Sequence, residues 1–327
     1  MIYVNQICIE LMSKKNKKSK NCIIAIETSC DDTSIACIKD NKIIANKVIT
    51  RNDLHLKYGG IIPELASRNH AKQLNVLFKN ILNEAKISID EIDYVAYTAY
   101  PGLIGCLHTG KVFAKSLSYL LNKPLISIDH MIGHAFSFSI NNNKLVKFPF
   151  LCLDASGGHT MIYLFNSLTD YLILNESNDD AVGECLDKIG RILKLPYPGG
   201  ISLDKIYDET KNNLPLIKHQ SPSSPFSFSG LKTFVKNVVD KKQIKDKVLI
   251  GSSALKWCID DLMTKLKFYS NCYECKFIAI GGGVAANSLL RKEIQKLDKK
   301  IIVVDRKYCG DNAAMIANLA NLIINDK

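Results

Sequence analysis

Cys22-Ile23-Ile24-Ala25-Ile26-Glu27-Thr28-Ser29-Cys30-Asp31-Asp32-Thr33-Ser34-Ile35 is the stretch from which the fold is read. Cys22–Glu27 is an apolar run closed by an acid, the pattern of a short strand buried on both faces. A tight polar turn follows, and a second strand begins near Ser34. The same order of events returns downstream. Leu153-Asp154-Ala155-Ser156, with Thr160 and Ile162, repeats Ile26-Glu27-Thr28-Ser29, with Thr33 and Ile35, and each matched pair is separated by 127 residues (27 to 154, 33 to 160). The agreement continues outward. Residues 34–38 and 43–49 read as a hairpin, and residues 150–154, 160–166 and 171–176 read as the matching strands. Helical spacing over 64–85 and 104–121, with strands at 94–98 and 125–129, completes an alternating α/β pattern.

The bulk composition agrees with a globular chain. Of 327 residues, 47% are hydrophobic and 23% charged, and no apolar run approaches the roughly 20 residues of a membrane span. No membrane association is expected. The formal net charge is +11, part of it from Lys14, Lys15, Lys17, Lys18 and Lys20 in a basic extension over residues 1–21, which reads as disordered. Without those five lysines and Glu10 the remainder keeps about +7, a balance that suits a polyanionic partner. A general enrichment in Lys, Asn and Ile produces the same excess. Eleven cysteines form no regular framework. Cys22, Cys37 and Cys152 sit in strand patterns as small hydrophobes, and Cys272-Tyr273-Glu274-Cys275 lacks the second pair of a zinc site, so a reducing, cytoplasmic setting is expected.

Chemistry concentrates in five segments. His130-Met131-Ile132-Gly133-His134 places two imidazoles one helical turn apart, directly after a strand, where open α/β sheets hold ligands. Met131 stands where a zinc protease of the H-E-x-x-H type needs its glutamate base, which disfavours that activity. Asp154-Ala155-Ser156-Gly157-Gly158-His159-Thr160 is a glycine-rich turn longer than a hairpin needs, and Pro198-Gly199-Gly200 reads as a second such turn. Residues 277–287 run from a strand into Gly281-Gly282-Gly283, which satisfies G-x-G-x-x-A through Ala286, with Asp305 closing the next strand. Only 22 residues follow Asp305, too few to complete a dinucleotide-binding sheet, so an adenylate is expected to be held differently. Asp311-Asn312 opens the last helix, over 312–324, where Asp311 on spacing alone fits the N-cap.

The duplicated strand–turn–strand resembles the actin/sugar-kinase/Hsp70 superfold. That implies two RNase H-like lobes, 22–145 completed by 306–327 and then 146–305, with the active site expected in the cleft between them. The ordered set of motifs is more specific still. Ile26-Glu27-Thr28-Ser29-Cys30-Asp31, Tyr58-Gly59-Gly60, Pro63-Glu64-Leu65-Ala66-Ser67-Arg68 with His70, and Pro101-Gly102-Leu103 come first. His130 with His134, Ser156-Gly157-Gly158-His159-Thr160, Pro198-Gly199-Gly200, Phe226-Ser227-Phe228-Ser229-Gly230-Leu231-Lys232-Thr233, Gly281-Gly282-Gly283-Val284 and Asp311-Asn312 complete the set. Together they resemble the tRNA N6-adenosine threonylcarbamoyltransferase family.

The resemblance implies transfer of a threonylcarbamoyl group from threonylcarbamoyl-AMP to a tRNA adenosine. It implies one divalent metal ion on His130, His134 and Asp311, with Fe2+ expected and Zn2+ the alternative. Asp154, Ala155, Ser156, Gly157, Gly158, Asp187, Gly200, Asp204 and Asn287 are the implied substrate-binding positions. Asp31 and Asp32 are the candidates for relaying the amine proton. Implied partners, in a bacterium, are a paralogous non-catalytic subunit and a small ATPase, of TsaB and TsaE type. Tyr100, Asp129, Asp154 and Gly310 depart from the family pattern, and Asp129 is read as an orienter of His130 or His134 or as a solvated strand end. A small-metabolite kinase of the same superfold is the alternative, although such kinases use carboxylates and magnesium rather than a histidine pair. A non-catalytic scaffold is the third reading.

Overall fold

The strand that ends in Glu27 is the centre of a six-stranded sheet. A computed structural model describes residues 9–10, 21–50, 61–241 and 244–326; the Tyr58-Gly59-Gly60 motif and most of the basic extension lie outside the described residues. The chain divides into two units, Met1–Val146 with Asp311–Lys327, and Lys147–Gly310.

Unit 1 contains β1 (Ile9–Glu10), β2 (Cys22–Glu27), β3 (Thr33–Lys39), β4 (Lys42–Ile49), α1 (Pro63–Ala85), β5 (Tyr94–Tyr100), α2 (Ile104–Leu121), β6 (Leu125–Asp129) and α3 (His130–Ala135). It is closed by the final helix of the chain, Ala313–Asn325. The sheet order is β1-β6-β5-β2-β3-β4, with β2 parallel to β5 and antiparallel to β3. Cys22, Ile24 and Ile26 pack with Leu74, Leu77 and Ile81 of α1 and with Ala114 and Leu117 of α2. The intervening Ile23 and Ala25 are equally buried, and the final helix lies against β2 and β3. That two-sided burial is why β2 carries no polar residue before Glu27. Pro63 starts α1 at a position where a missing N–H costs nothing, and Lys86 ends it in the left-handed region. Each fully buried leucine or isoleucine of α1 contributes about 2 kcal/mol.

Unit 2 contains β7 (Phe150–Ala155), β8 (Thr160–Phe165), β9 (Tyr171–Glu176), α4 (Val182–Ile192), α5 (Gly199–Ile206), α6 (Ser229–Asp240), α7 (Lys247–Cys272), β10 (Ile278–Gly281), α8 (Ser288–Ile294) and β11 (Ile301–Val303). The final helix is therefore α9. The sheet order is β11-β10-β7-β8-β9, with β10 parallel to β7 and β11, and β8 antiparallel to β7 and β9. Its core includes Phe150 stacked between Phe165 and Phe277 at centroid distances of 5.0 and 4.9 Å.

The repeat is a repeat of topology and of register. Strands β4-β3-β2-β5-β6 of unit 1 have the same order and senses as β9-β8-β7-β10-β11 of unit 2. Ile26 faces Ile35 and Glu27 faces Ser34, while Leu153 faces Ile162 and Asp154 faces Met161, so the 127-residue offset survives in the pairing itself. A one-residue slip would turn every side chain to the other face, so this identity is not a loose likeness. The glycine-rich stretch after β10 does not open a long helix. A 3-10 turn at Gly283–Ala286 intervenes, and α8 has only seven residues, which removes the dinucleotide-fingerprint reading. Pro198-Gly199-Gly200 is not a turn between strands either, because Gly199 begins α5 with Pro198 as its N-cap. Among the described residues no helix is long and apolar enough to cross a membrane.

Candidate metal centre and glycine-rich turns

Strand β6 passes into α3 without a loop because Asp129 caps the helix, accepting from the backbone N–H of Met131 (2.8 Å) and Ile132 (3.1 Å). Asp129 thus neither orients an imidazole nor sits solvated at a strand end. The abrupt start puts His130 and His134 on one helical face, both buried, with ring centroids 4.7 Å apart and planes at 85°. Asp311 arrives from the residue before the cap of α9. Asn312 takes the capping duty, its Oδ1 accepting from Met315 N at 3.2 Å, which leaves the Asp311 carboxylate to face the imidazoles. Its Oδ1 lies 3.0 Å from His134 Nε2 and 3.5 Å from His130 Nε2. One donor atom from each of the three residues lies within 4.8 Å of the others.

A fourth side chain, which the sequence reading did not single out, completes the arrangement. Glu27 is fully buried, and its Oε2 lies 3.0 Å from His130 Nδ1. The same carboxylate accepts from Ser29 N at 2.5 Å and from Thr98 Oγ1. A carboxylate on Nδ1 fixes that nitrogen as the donor and turns Nε2 toward Asp311. Its signal in the sequence was an acid ending an otherwise apolar strand.

The electrostatics favour a cation. Burial alone would raise the Glu27 carboxyl, yet the adjacent His130 pulls it below its ordinary value. Burial alone would lower His130, yet Glu27 and Asp311 lift it well above the usual imidazole range. Burial would likewise raise Asp311, but His130 and His134 hold it well below the carboxylate range. Two imidazole nitrogens and a carboxylate oxygen, with positive charge drawn to them, fit a divalent ion such as iron or zinc.

The segment after β2 is held from several sides. Thr28 Oγ1 donates to Cys106 O at 3.0 Å, and Leu103 N donates to Ser29 O at 2.8 Å. A Cβ on Gly102 would stand 2.5 Å from Ser29 O, so only glycine allows the Pro101-Gly102-Leu103 bend to press this close. His70 of α1, fully buried, pairs Nδ1 with Thr33 Oγ1 at 2.7 Å and Nε2 with Cys30 O at 3.0 Å. Asp31 and Asp32 lie inside this clamped stretch. Burial pushes the Asp32 carboxyl up to about 7, against the hydrogen bond it accepts from Thr50 Oγ1.

In unit 2 the substrate-binding candidates fall into three local groups. Asp154 and Ala155 are buried at the end of β7, and Ser156 Oγ accepts from Gly158 N (3.3 Å) and His159 N (3.1 Å). Cβ atoms on Gly157 and Gly158 would meet nothing within 4 Å, so the backbone of this turn is open on that side. The start of α4 closes on the turn, with Gly183 N donating to Ser156 O at 3.1 Å. The second group is Asp187 of α4, whose Oδ1 accepts from Gly200 N at 3.0 Å. Burial raises the Asp187 carboxyl, and the N–H groups of Gly200 and Gly199 offset part of that. The third is Asn287, which caps α8 through Leu290 N at 2.9 Å, beside Asp204, whose two oxygens both receive Ser288 N at 3.1 Å. Gly282, at φ +80°, ties the first group to β10: Gly281 faces Asp154 in the sheet, and a Cβ on Gly282 would stand 2.4 Å from Ala155 O.

Comparison with known proteins points to one family and one fold. The family profile of the tRNA N6-adenosine threonylcarbamoyltransferases matches residues 42–318. A curated protein of that name from Ureaplasma parvum serovar 3 is 49% identical over 306 residues, 92% of this chain and 95% of that protein. One from Thermosipho africanus is 44% identical over 304 residues, 90% of this chain and 92% of that protein. Among solved structures, T. kodakarensis HypF superposes with a TM-score of 0.62 at 14% identity, over 94% of this chain and 48% of that one. Component A of the Acidaminococcus fermentans (R)-2-hydroxyglutaryl-CoA dehydratase gives 0.55 at 15% identity, over 94% and 99%. At such identities the likeness speaks for the fold alone, and the fold is that of the actin/sugar-kinase/Hsp70 superfold.

Proposed function

The chain belongs to the tRNA N6-adenosine threonylcarbamoyltransferase family, and on that premise we propose that it transfers a threonylcarbamoyl group from threonylcarbamoyl-AMP to tRNA. The acceptor is N6 of the adenosine 3′ of the anticodon in tRNAs that read codons beginning with adenine, and AMP is released. The observation that carries the reading is the gathering of His130, His134 and Asp311 around one point, with Glu27 behind His130.

In the reaction the N6 amine attacks the carbonyl carbon of the mixed anhydride. The bond from that carbon to the phosphate oxygen breaks, the electron pair leaves with AMP, and the amine loses a proton. A divalent cation on His130, His134 and Asp311, Fe2+ or Zn2+, supplies charge stabilisation for the leaving phosphate when bound. Asp32 takes the proton, directly or through water, with Asp31 beside it. The open Ser156-Gly157-Gly158 backbone, with Asp154 and Ala155, holds the adenylate, and Asp187 contributes by fixing Gly200. Asn287 supplies a further contact, and Asp204 shapes that turn through Ser288 N. Placement of the two reactants does most of the remaining work. A paralogous non-catalytic subunit and a small ATPase are the proposed partners, and the cytoplasm the proposed location.

The test is incubation with threonylcarbamoyl-AMP and unmodified tRNA, with and without partner proteins, reading the modified nucleoside by mass. Product is expected, to be lost on chelation and to return with one added ion species. Phosphorylation of a small metabolite without any tRNA product would favour a kinase instead.

Asp32 gives the reaction a pH signature. A base that titrates near 7 makes transfer rise with pH through that value. Asp32→Asn is expected to flatten this limb and slow transfer by about 10²–10⁴-fold. Stability should move the other way. The folded chain holds this proton more tightly than an ordinary aspartate would, so the contribution of Asp32 is full below the ordinary carboxylate range and lost as pH rises through about 7. At pH 8 the variant should therefore melt above the wild type, and a lower melting temperature there would count against the assignment.

A further inference from the structure

Two functional elements of unit 1 meet at one buried carboxylate. Glu27 Oε1 accepts from the backbone N–H of Ser29 at 2.5 Å, while Oε2 accepts from Thr98 Oγ1 and from His130 Nδ1, the latter at 3.0 Å. Glu27 is 0% exposed, Thr98 2% and Ser29 2%, so bulk solvent does not reach them to replace a lost partner. Beyond Ser29 the chain passes straight into Cys30, Asp31 and Asp32, and His70 holds Cys30 O and Thr33 Oγ1 from the far end. The Ser29–Asp32 stretch is thus fixed at its entry by the group that orients a metal ligand.

We propose that Glu27 is a positioning residue that couples cation binding at His130 to the placement of the Ser29–Asp32 stretch. This rests on the metal-centre reading above. The chemistry of the carboxylate makes the coupling specific. It offers acceptors on both oxygens, so it receives Ser29 N–H and His130 Nδ1–H together, and the proton that His130 gives up to a cation is the one on Nε2. Glutamine has nearly the same shape but only one acceptor oxygen. If that oxygen keeps Ser29 N–H, the amide NH2 faces His130 Nδ1, which must become an acceptor, and the proton moves to Nε2, where it blocks ligation. If the amide turns over, His130 keeps its tautomer and Ser29 N–H loses its acceptor in a dry environment. Glu27→Gln can satisfy one element but not both. Because linkage is reciprocal, cation binding should in turn hold the Ser29–Asp32 stretch more tightly.

The experiment uses the full chain with Zn2+ as probe. It measures zinc affinity by competition with a fluorescent chelator, and hydrogen exchange of peptides covering residues 28–33 with and without the ion. In the wild type, zinc is expected to slow exchange over 28–33 by about 5-fold or more. In Glu27→Gln the zinc Kd is expected to rise about 10–100-fold, and saturating zinc should no longer slow exchange. Thr98→Val, which removes one donor to Oε2 but leaves both acceptors, should weaken zinc less and keep the exchange response. It carries the test if circular dichroism shows that Glu27→Gln fails to fold. Wild-type zinc affinity in Glu27→Gln, or zinc binding to the wild type with no change over 28–33, overturns the coupling while leaving the metal centre standing. A wild-type chain that binds no zinc and no iron removes the metal centre and the coupling with it.

Discussion

Asp311→Ala is expected to abolish retention of the cation and to reduce threonylcarbamoyl transfer by about a thousand-fold or more, the scale on which preorganised charge stabilisation acts. The substitution removes the one carboxylate oxygen placed 3.0 and 3.5 Å from the two Nε2 atoms and leaves two imidazoles with no anionic partner on that side. Folding should be little affected. The cap of α9 belongs to Asn312, whose bond to Met315 N does not involve Asp311, and α9 itself is buried along nearly its whole length. Metal content by mass spectrometry and single-turnover transfer are the readouts, with the melting temperature as control. A variant that keeps one ion per chain and near wild-type turnover would remove Asp311 from the centre. A metal-free variant with full turnover would remove the cation from the reaction.

The second large effect is expected at Gly282. Its φ of +80° is a conformation that β-branched residues avoid, and a Cβ there would stand 2.4 Å from Ala155 O and 2.6 Å from Asp154 Oδ1. Those atoms belong to the end of β7, which is hydrogen-bonded into the middle of the sheet and cannot give way cheaply. Gly282→Val should therefore cost about 3–5 kcal/mol of stability. At a temperature where the variant is still folded, adenylate binding should also be lost, because the displaced atoms lead directly into the Ser156-Gly157-Gly158 turn. Gly283→Ala is the internal comparison. A Cβ at Gly283 meets nothing within 4 Å, so this neighbouring substitution should be close to neutral. Equal melting curves for the two variants would contradict the packing described for this turn.

The fold was legible because its decisive signal is periodic and local. A strand buried on both faces, an acid and a turn, repeated 127 residues later, survive as the same residue pairs across β2–β3 and β7–β8. The histidine pair was legible for the same reason, since i,i+4 spacing on a helix is a local fact. Contacts between distant segments were not legible from spacing, and only the family resemblance set Asp311 beside the histidines. Asp311 and His134 are 177 positions apart, and nothing short-range says that Asn312, not Asp311, takes the cap. Glu27 served as a marker of the repeat, and its meeting with His130 is created only by the parallel β2–β5–β6 arrangement. Pro198-Gly199-Gly200 looked like a turn because proline and glycine punctuate chains. The same pair also starts a helix well, and Asp187, thirteen positions earlier, receives the first N–H groups of α5. Asp129 was read as an orienter of His130 or His134 or as a solvated strand end, and the hydrogen bonds from Met131 and Ile132 make it the helix cap instead.

X-ray absorption spectroscopy of the purified full chain, reconstituted in turn with Fe2+ and Zn2+, bears most directly on the claim that His130, His134 and Asp311 form one cation site. The expected result is one ion per chain in a nitrogen- and oxygen-only shell with two imidazoles, lost together in His134→Ala and Asp311→Ala. A shell containing sulfur, which would point to Cys272 and Cys275, or an ion that stays bound in both variants would contradict it.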